Sequence, residues 1–251
     1  MGGPARMELP VQQQSARFTR SRLFAWMGLA GIAVAVIGFA KTFFLPLFSG
    51  TFSAPLLIYV HGAFLFGWVG FFAAQSFWIH RKNLRLHKRL GWAGAGLVAG
   101  VVVSTLGVGA LASQRTAATG DIDLASREFL VILMEMTVFS VLTVSAFLLR
   151  RRPDNHRRLM LLALIASLGP AWFRFRHYFP PIDDPVFVYS LLLADSLVVI
   201  AALADFLRER RVHWVYTFVG SSMIGVHLIE VFGFGANWFG AIARTLAGPF
   251  I

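Results

Sequence analysis

Apolar residues run along this chain in long blocks of about 20, the length that crosses a hydrocarbon core of about 30 Å. Basic or Pro/Gly-rich flanks bound seven of them: Leu23–Leu47, Pro55–Ile79, Leu90–Ala112, Glu128–Leu149, Leu159–Phe173, Val186–Leu207 and Val212–Gly235. The fifth block is short, but Asp154 and Asn155 after Pro153 are N-cap residues, so its helix is expected to start near His156. Each block is predicted to be a helix, because in lipid every backbone N–H and C=O must be satisfied within the segment. The pattern therefore predicts an all-α integral membrane bundle of seven transmembrane helices, residues 23–235. A polar tail, residues 1–22, precedes it, and the polar stretch 113–127 reads as its longest loop. Residues 236–251 are expected to lie along the membrane interface, with Trp238 as an anchor.

Composition narrows the class further. Of 251 residues, 57% are hydrophobic and 14% charged, with mean hydropathy +0.68; soluble domains carry about 25% charged residues. A soluble enzyme, a nucleic-acid-binding domain and a disordered chain are excluded. The net charge of +11 reflects cations placed between the apolar blocks. Arg6, Arg17, Arg20 and Arg22, then Arg81, Lys82, Arg85, Lys88 and Arg89, then Arg150, Arg151, Arg152, Arg157 and Arg158, then Arg208, Arg210 and Arg211 all fall on one side of the membrane. Lys41, Arg115, Arg127, Arg174, Arg176 and Arg244 fall on the other. By the positive-inside rule the N-terminus is cytoplasmic and the C-terminus external, as in a multi-pass protein of a bacterial inner membrane. The first 22 residues are too long and polar for a signal-peptide n-region, and no A-x-A site follows, so the first helix reads as a retained span. With no cysteine, disulfides, iron–sulfur clusters, thiolate zinc sites and covalent c-type haem are excluded.

Ionisable groups inside spans are costly and point to function by default. They are His61, Glu135, Asp195, His227 and Glu230, with Arg174, Arg176 and His177 at the outer end of helix 5. Counting 1.5 Å per residue places His61, Glu135 and His227 at one level, roughly 10 Å below the outer surface, with Asp195 nearer the midplane. Glu230 follows His227 by one turn on the same face. Three readings stand side by side. His61 and His227 are axial ligands of a b-type haem; or His61, Glu135, His227 and Glu230 hold a metal ion; or the layer is a structural polar network in which Asp195 or Glu135 pairs with Arg174 or a histidine. His87 and His156, at matching depth on the inner side, form a second candidate haem pair or simply meet lipid phosphate. Helix 3 presents Gly91, Gly94, Gly96, Gly100, Gly107 and Gly109, a small face that permits close packing or leaves room for a flat cofactor. Nucleotide-hydrolysis and zincin motifs are absent, and the lysines, Lys41, Lys82 and Lys88, leave no late-helix attachment point for retinal.

Leu86-His87-Lys88-Arg89-Leu90-Gly91 and Asp154-Asn155-His156-Arg157-Arg158-Leu159-Met160 open helices 3 and 5, and Val212-His213-Trp214 opens helix 7 after another basic run. Three similar hairpins after a lone first helix are the expectation. The first two motifs resemble those of uncharacterised bacterial multi-pass membrane proteins with HRRLG and HRRLM helix starts. Residues 55–176 are also loosely similar to the cytochrome b561 and ferric-reductase-like group, which implies haem held between histidines at two depths. The chain departs from a four-histidine pattern, since helix 4 offers Glu135 where that group would offer histidine, and an outer haem would need His227. The expected function is thus a haem- or metal-binding redox or assembly protein; the alternatives are a cofactor-free transporter or sensor using Asp195, Glu135 and Arg174, or a subunit of a larger membrane complex. Lipid is the expected surrounding, with a membrane-protein partner or a second copy as possible company and no nucleic acid.

Overall fold

The computed structural model describes the backbone of residues 11–251 and the side chains from Arg22 onward. Most of the predicted polar tail, with Arg6, Arg17 and Arg20, lies outside the described side chains, although the backbone is already helical from Val11. Seven helices are long and apolar enough to cross a membrane: α1 (Arg22–Phe48), α2 (Leu56–His80), α3 (Leu84–Ala118), α4 (Ile122–Leu148), α5 (Pro153–His177), α6 (Val186–Glu209) and α7 (Val215–Gly233). A shorter amphipathic helix, α8 (Asn237–Leu246), follows. The chain is all-α among the described residues, a seven-helix bundle suited to a lipid bilayer.

The expected loop over residues 113–127 shrinks to a turn. Its polar residues belong to helix ends: α3 has 35 residues, about 52 Å of helix against a core of about 30 Å, so its last turns stand in the headgroup region or beyond. Gly120 supplies the left-handed conformation the turn needs, φ +99°, and the Asp121 carboxylate accepts from Leu124 N at 2.9 Å to start α4. The start of α5 also differs from expectation. Pro153 occupies the first helical position after Arg152, where its missing N–H costs nothing, and Asp154 in the first turn is ion-paired with Arg157 and Arg158.

α5 lies at the centre. Buried residues make up 56% of its apolar window but 17% in α2 and α3, and Leu161 through Ala166 are buried all round, the mark of a helix with neighbours on every side. Ser167-Leu168 and Pro170 then interrupt it, because proline cannot donate to the preceding turn. The glycines of α3 serve packing: Gly94, Gly100 and Gly107 receive Phe71, Phe64 and Leu57 of α2, and Gly109 receives Ile132 of α4. Gly96 remains open, beside an apolar groove of about 410 Å³ between α2 and α3. At the far end α8 packs Phe239, Ala243 and Ala247 on Phe129 and Leu130 of α4. Arg127 ties the two together, donating to Phe234 O at 2.5 Å and Ala236 O at 2.8 Å.

Candidate functional site

Burial on α6 and α7 follows helical spacing. Asp195, Val198, Ala201 and Asp205 form the inward stripe of α6; Tyr216, Gly220, Met223, His227 and Glu230 form that of α7. Glu135 of α4 is aligned, at spacings of three and four, with the buried Phe139, Leu142 and Ala146. These stripes converge and bring four polar groups together inside the bundle. His227 Nδ1 lies 2.9 Å from Asp195 Oδ1, and both side chains are 8% exposed. On its other edge His227 Nε2 lies 3.4 Å from Glu135 Oε1. Glu230, one turn further along α7, sets its carboxyl beside that of Glu135.

The cluster is unbalanced in charge. It holds three carboxyl groups and one imidazole, and no lysine or arginine is bonded or ion-paired to any of the four among the described residues. Asp195 Oδ2, His227 Nε2 and Glu230 Oε1 are buried without a hydrogen-bond partner. Counted from helix ends, Asp195 is about 14 Å, His227 about 9 Å and Glu135 about 20 Å in. The π-helical stretch Val186–Leu193 ends immediately before Ala194-Asp195, and such wide turns recur at functional sites.

Several sequence expectations are redrawn by this geometry. Asp195 is bonded to His227 and so shares its level, although the two are about 14 and 9 Å from the ends of their own helices. Arg174 is not its partner: the Arg174 guanidinium lies 4.1 Å over the Phe39 ring and donates to Pro170 O. His61 faces α3, where its Nδ1 is 3.4 Å from Ser104 Oγ. His61 and His227 thus have separate partners, and Asp195 takes the place expected of His61 beside Glu135, His227 and Glu230. No group of three or more His, Asp or Glu side chains is arranged to hold a metal ion among the described residues. His87 and His156, by contrast, face each other with ring centroids 6.3 Å apart. Hydrogen bonding to Ala146 O at 2.8 Å makes His156 Nδ1 the donor and leaves Nε2 as the free base; His87 Nδ1 is buried without a partner.

A second buried cluster lies at the basic end and was missed, because Arg158 reads as a loop cation and Asp205, near the end of the sixth apolar block, was not counted among the ionisable groups. Arg158, with its side chain 2% exposed, makes a two-armed pair with Asp205 at 2.8 and 2.9 Å. Glu209 lies 3.5 Å away, and the Tyr216 ring centroid 5.8 Å. The available signal was spacing: Asp205 follows Asp195 by ten residues on one face, about 15 Å along α6.

Comparison with known proteins adds no relative: no protein-family model, curated protein or solved structure matches the chain.

Proposed function

We propose that this chain is a multi-pass protein of the bacterial cytoplasmic membrane, its basic end facing the cytoplasm, and that the Asp195–His227–Glu135–Glu230 cluster is the proton-binding centre of a proton-coupled transporter or sensor. One observation carries the reading: a buried histidine held between carboxylates on three different helices, with no lysine or arginine paired to them among the described residues. An isolated charge in a low-dielectric interior is strongly disfavoured. One imidazolium can balance one carboxylate, so the others are neutral only with protons of their own. Charge neutrality thus makes the cluster a store of exchangeable protons, and chains of Asp, Glu and His inside membranes commonly serve as proton relays. The helices contributing to it, α4, α6 and α7, are those whose relative movement would open or close access. Infrared difference spectroscopy of the protein in lipid, across a pH step, tests this. A carboxylic C=O band that shifts in heavy water should appear and should be lost in Glu135→Gln or Asp195→Asn. No such band, or a band indifferent to both variants and to Glu230→Gln, refutes it. Reporter fusions test the orientation: a C-terminal fusion should be active outside, and one at residues 150–158 inside.

The haem or metal reading is favoured by His87 and His156. A metal–imidazole bond is about 2 Å, so facing rings at their spacing can share one centre, and a ring fixed through Nδ1 to a carbonyl is the usual arrangement of a metal-binding histidine. These residues fit such a group; His61 and His227 are not paired with each other, His61 lying against Ser104 of α3 and His227 against Asp195 of α6. A bound b-type haem would supply one-electron chemistry. Protein purified in mild detergent after expression with ample haem should be red, and His87→Ala or His156→Ala colourless; colourless wild-type protein with no metal by elemental analysis refutes this reading.

A further inference from the structure

The end of the bundle opposite the basic one carries few cations, yet three of them meet at one place. Lys41 enters from a π-helical stretch of α1, Ala40–Phe44, and donates from Nζ to His177 O at 2.8 Å. Arg174 and Arg176 come from the last turn of α5. All three lie within electrostatic reach of His177. Beside them a cavity of about 270 Å³ is lined by Arg176, His177, Phe179, Pro181, Pro185 and Tyr189, among others.

Arg174 lies over Phe39, Arg176 lies 3.7 Å over Phe173 and donates to Phe173 O at 3.2 Å, and Lys41 lies 4.4 Å over Tyr178. None is paired with a carboxylate among the described residues. At the same end, where a carboxylate is within reach, cations take it: Arg127 and Arg244 both pair with Asp123. The acids nearest in sequence, Asp183 and Asp184, do not fill the gap; Asp184 accepts from Phe187 N at 2.9 Å to start α6. Each guanidinium has five N–H donors and uses one of them on a carbonyl, so most remain free for a ligand. The aromatic rings hold the cations in place from behind.

We propose that this pocket binds a phosphate-type anion at the membrane–water interface. Arg176 lines the pocket, and the Arg174 guanidinium and Lys41 ammonium stand beside it around His177, so the local charge suits a phosphate better than the single charge of a carboxylate. The volume is just below the roughly 300 Å³ at which drug-sized pockets begin, so it takes a phosphate with a small substituent and not a bulky molecule. Phe179, the prolines and Tyr189 give the pocket an apolar wall between the ends of two spanning helices, α5 and α6. The phosphate comes from a lipid headgroup or from a free solute, and the proposal does not depend on the proton-binding reading.

The full chain in an uncharged detergent decides the matter by native mass spectrometry and by titration of intrinsic fluorescence. Three probes are used: dioctanoyl phosphatidic acid, dioctanoyl glycerol and inorganic phosphate. Phosphatidate should bind at least about tenfold more tightly than dioctanoyl glycerol, and Arg176→Gln and Arg174→Gln should each weaken it about tenfold without loss of helix content. Competition by millimolar inorganic phosphate assigns the site to a soluble anion; its failure to compete assigns it to a headgroup. Equal binding of phosphatidate and dioctanoyl glycerol by the unaltered protein overturns the proposal whatever the variants do. So does phosphatidate binding that a folded Lys41→Gln/Arg176→Gln variant leaves unchanged.

Discussion

Replacing Asp205 by leucine leaves the Arg158 guanidinium buried among α5, α6 and α7 with both arms of its pair gone. Removing one partner of a buried ion pair costs about 3–5 kcal/mol, most of it the penalty of the stranded charge. Glu209 at 3.5 Å and Asp154 at 3.6 Å remain beside the guanidinium, so the expected loss is at the lower end, about 3 kcal/mol. Arg158→Met strands Asp205 instead. Arg158 is the cation paired with Asp205 among the described residues, so this loss should be the larger, about 4 kcal/mol. The double variant Arg158→Met/Asp205→Leu strands neither charge and replaces both with apolar groups of similar bulk. It should return to within about 1 kcal/mol of the unaltered protein.

Equilibrium unfolding in mixed neutral detergent and dodecyl sulfate, followed by helical circular dichroism, gives the three differences. These values imply a coupling energy of about 6 kcal/mol, above the range of about 0.5–3 kcal/mol usual for residues in contact, and a coupling below about 2 kcal/mol would refute the reasoning. A double variant as unstable as the worse single one would show that Arg158 and Asp205 matter through shape or through other partners. Single-variant losses below about 1 kcal/mol would mean that water reaches the pair and screens it as at a surface.

Three further outcomes are expected. A Cβ at Gly38 would overlap the Ala171 carbonyl oxygen and lie 2.9 Å from its carbon, so Gly38→Val should cost about 1–3 kcal/mol by overpacking; Gly70, with nothing within 4 Å, should accept alanine within about 0.5 kcal/mol, and equal effects at the two sites would contradict the α1–α5 contact. Arg127→Ala removes the bonds that hold the start of α8, so amide exchange over Phe239–Ala243 should quicken about tenfold, a loss of roughly 1.4 kcal/mol; unchanged exchange would show that apolar packing alone secures the helix. His213, between α6 and α7, has its pKa lowered from 6.5, first by burial and then by the Arg158 charge, with Asp205, Asp154 and Glu209 opposing. The unfolded chain therefore binds this proton more readily, and the folded state should lose stability as pH falls below about 6.5. His213 Nδ1 also accepts from Val215 N at 3.2 Å, a bond the protonated ring cannot make. His213→Gln should show the shallower loss between pH 7 and 5, and parallel curves would refute the assignment.

Helix number and type were readable because lipid imposes one rule over long segments: apolar blocks with polar stops. The boundaries were less so. Residues 113–118 and 122–127 look like a loop because helices that outrun the membrane regain polar residues, and only Gly120 and Asp121 mark the turn. In the site, α7 alone predicted that His227 and Glu230 share a face. Which helices stand opposite is a matter of rotation and tilt, set by contacts such as Phe64 against Gly100, and linear spacing does not encode it. Depth counted from block ends misplaced Asp195 for the same reason: the π-helical turns before it alter the rise of α6.

The two buried clusters share one helix pair and differ in one respect that bears on function. At the basic end, Arg158 and Asp205 cancel; the pair holds three helices in register and has no net charge to exchange. About 15 Å along the same stripes, Asp195, His227, Glu135 and Glu230 do not cancel, although an arginine in place of Met223, one turn from His227, would lie on the same inward face. Between the levels stand Val198, Ala201, Gly220 and Met223, with Val198 close enough to Gly220 that a Cβ there would come within 3.0 Å. This stretch is closely packed and apolar. A proton reaching the middle cluster from the basic end would have to pass that plug and the ion pair, whereas His227 is about 9 Å from the other end of α7. If the middle cluster is the proton-binding centre proposed above, protons would enter it from the cation-poor end, and the Arg158–Asp205 pair would close the opposite side.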